Sequence, residues 1–121
     1  MIKLEIIIQL FNKIIKYNNI VMKQKIYYDR KHGGCIRMVT KIDKHTSIIK
    51  GAYGNDEKSQ GYWFAEVTHL ENDKVIDNKK YNMLVNFKHK KDLKHKQKLY
   101  ADMSGRKIYW EDGNCWLQMY A

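Results

Sequence analysis

The chain has 121 residues, 44% of them apolar and 12% aromatic, enough for one packed domain and too few for two, and too apolar for wholesale disorder. It carries 23 basic residues against 13 acidic ones, a net charge of +10, which points to polyanionic partners such as nucleic acid or an anionic surface. Proline is absent and the seven glycines are scattered, so no interdomain linker is expected.

Residues 2–20 place Leu4, Ile7, Ile8, Phe11, Ile14 and Ile15 at helical spacing, with Lys3, Glu5, Asn12, Lys13 and Lys16 largely on the other side. The spacing predicts an amphipathic helix over 1–21, an appendage to a β-rich domain over 22–121. Charged and amide residues interrupt every apolar window, which excludes a transmembrane span, and the short apolar runs do not suit a signal peptide. The apolar face has three readings: it docks on the β-domain, it binds a partner or a second copy, or, less favoured by its few positive charges and lack of tryptophan, it lies on a membrane surface. Met22, followed by Lys23-Gln24-Lys25, would also make a sensible start for the β-domain.

A first strand is expected at 25–28, followed by a turn at Asp29-Arg30-Lys31-His32-Gly33-Gly34. Over 35–42, Ile36, Met38 and Ile42 alternate with Arg37, Val39 and Lys41. Strands follow at 46–53 and 62–70, separated by the polar loop 54–61. A turn is expected at 71–73, then a short piece of strand at Val75-Ile76 before Asp77-Asn78. In 81–87, Tyr81, Met83, Val85 and Phe87 share one face, and 99–103 leads through Ser104-Gly105 into a closing hairpin. That hairpin, Arg106 to Tyr120, turns at Asp112-Gly113, a dipeptide tolerant of positive φ, and Trp110 and Trp116 flank the turn. The fold class is therefore mainly β: a small antiparallel barrel or sandwich of about seven or eight strands with an N-terminal amphipathic helix.

Segment 88–98 reads Lys88-His89-Lys90-Lys91-Asp92-Leu93-Lys94-His95-Lys96-Gln97-Lys98, six lysines and two histidines against one aspartate. Neutralising phosphates with Lys88, Lys90, Lys91, Lys94, Lys96 and Lys98 would release counterions, so nucleic-acid contact through this loop is expected. Tyr62, Trp110 and Trp116 could stack on unpaired bases if exposed. The contrary reading is a solvated lysine loop over an aromatic core. Only Arg30, Arg37 and Arg106 are arginines, which favours sequence-indifferent attraction over bidentate base reading.

Asp29, His32 and Cys35 recur every three residues, yet zinc normally takes four donors, and an ordinary turn explains them equally well. Asp56-Glu57 with Glu66, or Glu111-Asp112, could pair as acid and base, although loop acids usually serve turns and solubility. No phosphate-binding glycine loop, nucleophile elbow or His-Glu-x-x-His motif is present, so no enzyme, cofactor or metal is expected. Cys35 and Cys115 are read as free thiols in a reducing compartment, with a disulfide between them as the alternative.

Ile108-Tyr109-Trp110-Glu111-Asp112-Gly113-Asn114-Cys115-Trp116, with Asp29, His32-Gly33-Gly34-Cys35 and Tyr53-Gly54-Asn55-Asp56-Glu57, resembles a group of small β-rich proteins of giant, mimivirus-like DNA viruses. The resemblance spans about 27–120 and carries no activity; it implies a viral protein acting inside an infected cell or packaged in a virion. Gly61-Tyr62-Trp63-Phe64-Ala65-Glu66-Val67 and the closing hairpin are also similar to pieces of Tudor-like barrels, which implies an aromatic cage for a methylated side chain. The function expected is a non-catalytic basic module contacting nucleic acid; the alternative is a structural or protein-interaction component using the helix or an aromatic surface.

Overall fold

A computed structural model describes residues 6–9, 24–32, 36–54, 59–91 and 96–119. Eight antiparallel strands are joined in simple succession: β1 (Gln24–Asp29), β2 (Ile36–Lys41), β3 (Thr46–Gly54), β4 (Ser59–Ile76), β5 (Lys79–Asn86), β6 (Lys98–Ser104), β7 (Lys107–Trp110) and β8 (Cys115–Gln118). Each strand pairs with the next, and β8 returns to β1 through Tyr27↔Gln118, Tyr28↔Leu117 and Asp29↔Trp116, so the sheet closes into a barrel. Of the two architectures the sequence allows, closure selects the barrel, which leaves no exposed edge along the seam.

An eight-stranded barrel is narrow enough for side chains to fill it. Here the filling is aromatic. Trp63 meets Phe87 at 5.8 Å between ring centres, Phe87 meets Trp110 at 5.6 Å, and Trp110 meets Trp116 at 4.7 Å, all tilted. Tyr27, Val39, Ile49, Ala65, Val67, Met83, Val85, Ala101 and Ile108 complete the core. The alternation read in 81–87 holds: Tyr81, Met83, Val85 and Phe87 are all buried. Gly51 lies opposite Trp63 in the β3–β4 ladder, and a side chain there would run into the indole.

In β2 the apolar-rich face is not the inner one. Arg37 and Val39 are buried, while Ile36 is 51% exposed. Met38 and Ile42 pack outside the barrel with Ile48 and Phe64, under Ile7 and Ile8 of residues 6–9, which are helical. This piece of the expected N-terminal helix docks on the β-domain; the rest of 1–21 lies outside the described residues. Among the described residues no helix is long and apolar enough to cross a membrane.

Two turns differ from expectation. β4 continues through 71–73 to Ile76, with its pairing to β5 shifting register between His69 and Lys74, and the chain reverses at Asp77-Asn78, with φ of 50° and 65°. Two consecutive residues with positive φ make the tight hairpin turn whose twist suits antiparallel strands. At the closing hairpin only Gly113 takes positive φ, at 92°. There the Gly113 N–H donates to the Trp110 carbonyl at 3.0 Å, and Trp110 and Asn114 close a longer loop.

Candidate nucleic-acid interface

Because the strands alternate in direction, the β1–β2, β5–β6 and β7–β8 connections open at one end of the barrel. The 88–98 segment is the β5–β6 connection with the first residue of β6, and Arg30, Lys31 and His32 follow β1 at the same end, across the ring of strands. Lys94 lies among residues 92–95, outside the described residues.

The described lysines of the segment divide by their contacts. Lys88 Nζ sits 3.3 Å from a Glu66 carboxylate oxygen, and Lys96 Nζ sits 3.7 Å from Glu111 Oε2. Lys90 Nζ lies 5.8 Å from the ring centre of Tyr53 and 5.6 Å from that of Trp63, a cation held against two aromatic faces. The Lys91 N–H donates to the Tyr53 hydroxyl at 2.6 Å, and the Lys91 and Lys98 side chains are exposed. The loop is tied by its backbone as well: the Phe87 N–H donates to the Gln97 carbonyl at 2.8 Å, and the Lys90 N–H to the Phe87 carbonyl at 2.9 Å. It is therefore a shaped, anchored loop over its described length. Only part of its positive charge is directed to solvent.

Of the three aromatic contacts expected, one is available. Tyr62 is 58% exposed, whereas Trp110 and Trp116 are each 4% exposed and belong to the core. The correction has a physical cause. In a closed barrel the inward positions of the short β7 and β8 must fill the axis, and the two indoles are the largest groups there. Tyr62 projects from the outer face of β4, where Lys50 Nζ stands 4.5 Å from its ring centre.

Beneath the same end lies a polar cluster of which the sequence patterns held only the Asp29 and His32 part. Asp29, 2% exposed, accepts from the Lys31 N–H and from Asn114 Nδ2, each at 3.1 Å, and its Oδ2 lies 2.7 Å from His32 Nδ1. Arg37 Nη2 approaches the same carboxylate at 3.7 Å, while the guanidinium carbon sits 5.3 Å from the Trp63 ring centre and 5.6 Å from that of Trp116. Burial pushes the Asp29 carboxyl up. The hydrogen bonds from His32 and Asn114 and the charges of His32 and Arg37 outweigh it, and the group stays below the ordinary carboxylate value. Asn114 is 85 positions from Asp29 along the chain, so no local motif could announce the cluster.

The Asp29–His32 part of the every-third-residue pattern is thus brought together, with Cys35 outside the described residues. Cys115 is a half-buried free thiol. Of the candidate carboxylate pairs, Asp56 and Glu57 lie outside the described residues and Glu66 is paired with Lys88. Glu111 accepts from the Tyr100 N–H at 2.9 Å, and Asp112 from the Asn114 N–H at 3.0 Å. These acids are engaged as turn and loop anchors.

Positive charge is not confined to this end: Lys41, Lys44, Lys79, Arg106 and Lys107 stand at or near the connections of the other. What distinguishes the lysine-loop end is the exposed aromatic beside it. No protein-family model, curated protein or solved structure matches the chain.

Proposed function

We propose that the protein is a non-catalytic binding module that contacts nucleic acid through the lysine-loop end of the barrel. The observation that carries this reading is that Lys88, Lys90, Lys91, Lys96 and Lys98 and, across the barrel mouth, Arg30 and Lys31 stand on or beside connections that open at the same barrel end. Flexible ammonium groups attract phosphates without bidentate base reading, so the binding is sequence-indifferent and weakens with salt. The setting implied by the giant-virus resemblance, an infected cell or a virion, belongs to the same proposal.

Fluorescence anisotropy with labelled oligonucleotides, from low to physiological salt, tests it. The comparison protein carries Lys91→Gln, Lys96→Gln and Lys98→Gln; Lys96, although 3.7 Å from Glu111, keeps a side chain 74% exposed, whereas Lys88 and Lys90 are left intact because they hold Glu66 and the Tyr53 and Trp63 rings. Each lost phosphate contact lowers the salt slope by about one, so the triple variant is expected to bind more weakly with a slope shallower by roughly two to three. Absence of binding at low salt overturns the proposal.

A second reading, a protein-interaction module, is favoured by two observations: basic residues line the opposite end as well, and Ile36, Tyr62 and Tyr109 expose apolar surface. Binding of a protein partner with no salt-sensitive oligonucleotide binding would decide for it.

A further inference from the structure

The outer face beside the lysine loop carries more than a single exposed tyrosine. Across β1 to β4 it presents Tyr28, Ile36, Ala52 and Tyr62 as one row. Tyr28 stands opposite Ile36, and Ala52 opposite Tyr62. The β2–β3 pairing ends at Met38↔Lys50, two residues short of Ile36 and Ala52, which alternation puts on the same outer face. Ile36 on β2 and Tyr62 on β4 are both exposed, with β3 between their strands. Among the described residues, Ala52 stands on β3 opposite Tyr62, with no side chain larger than a methyl group. The result is a shallow notch walled by an aliphatic and an aromatic side chain, open to solvent on 51% of Ile36 and 58% of Tyr62.

One ammonium group borders it directly. Lys50 Nζ is 4.5 Å from the Tyr62 ring centre. On the barrel-end side, the lysine loop is anchored on the immediate chain neighbours of the notch residues. Lys91 bonds through its N–H to Tyr53, next to Ala52, and Lys90 covers Trp63, next to Tyr62. The occupant that suits an apolar slot edged by an ammonium group, beside the lysine loop, is a flat ring carried on an anionic chain.

Resting on the reading of this end as a nucleic-acid interface, we infer that the ligand is single-stranded nucleic acid, with one base stacked on Tyr62 and its flanking phosphates held by Lys50 and Lys91. A duplex offers its phosphates but not its base faces, which are covered by neighbouring pairs. An exposed ring on a sheet can stack only on an unpaired base. Stacking is tolerant of sequence because every base has a π-face, consistent with a notch edged by lysine and with Arg37 sequestered in the barrel interior.

The test compares a labelled mixed-sequence single strand with its duplex at low and physiological salt, using the wild-type chain, Tyr62→Ala, Tyr62→Phe and the triple lysine variant. Tyr62 is exposed on an already paired strand, so its variants keep the barrel; a cooperative thermal transition verifies this. The single strand is expected to bind more tightly than the duplex. Tyr62→Ala should weaken the single strand roughly tenfold and leave the duplex unchanged, while Tyr62→Phe, which keeps the ring, retains affinity. Equal affinity for the two forms, tighter duplex binding, or indifference of the single strand to Tyr62→Ala overturns the stacking inference. The broader interface reading still stands in those cases if the triple lysine variant weakens binding. No binding of either form at low salt overturns both.

Discussion

Gly51 and Trp63 face each other across the β3–β4 ladder, and the indole occupies the volume that a side chain at 51 would need. Trp63 cannot retreat, because Phe87 lies on one side and the Arg37 and Lys90 cations pack against it. Gly51→Ala is therefore expected to cost about 3 kcal/mol, the upper end of overpacking effects, measured as a lowered urea midpoint. Acid sensitivity is set at the same scale. His69 Nε2 lies 2.7 Å from the buried Ser47 hydroxyl, and burial, with Lys41 nearby, holds the imidazole below its ordinary value of 6.5. The unfolded chain then takes up the proton first, so stability is complete above pH 6.5 and falls as pH drops through the folded-state value. Asp29 adds a later loss: its carboxyl is held below 3.8, so its contribution is present above that pH and disappears as pH falls through the folded-state value. Urea midpoints measured across the acid range should decline in two stages, and His69→Gln should remove only the first.

At the scale of elements, most of the strands were legible because their causes are local. Side chains alternate across a strand, and Asn78 and Gly113 take the positive φ their turns require. The β4–β5 hairpin shows where local reading stops. Glu71-Asn72-Asp73 has turn composition, yet these residues continue β4, because the positive-φ pair at Asp77-Asn78 makes the tighter reversal and β5 resumes pairing at Ile76↔Lys79. The helical piece at 6–9 covers Ile48 and Phe64 on the outside of the barrel, with Ile7 only 8% exposed. Ile7→Asp should uncover that patch and cost about 2 kcal/mol, read as a lower thermal midpoint, while Ile6→Asp, at a position 55% exposed, should change little.

At the scale of the molecule, one aromatic core spans the barrel from Trp63 to Trp116, and the ends differ in what surrounds their charge rather than in its sign. The lysine-rich composition was plain in the chain; its distribution was not. Lys88, Lys90 and Lys96 meet partners supplied by other strands and connections, and only after those pairings is it visible which cations remain directed outward. A basic, mainly β domain with alternating strands was already implicit in the chain, since these follow from chain-local geometry and composition. The tertiary structure alone decided that the sheet closes, that Trp110 and Trp116 lie inside while Tyr62 lies outside, and that Arg37 joins Asp29 and two indoles in the interior. Alternation defines two faces of a strand without saying which faces inward. That choice is made only when β8 pairs with β1 and the whole ring of strands must fill one axis.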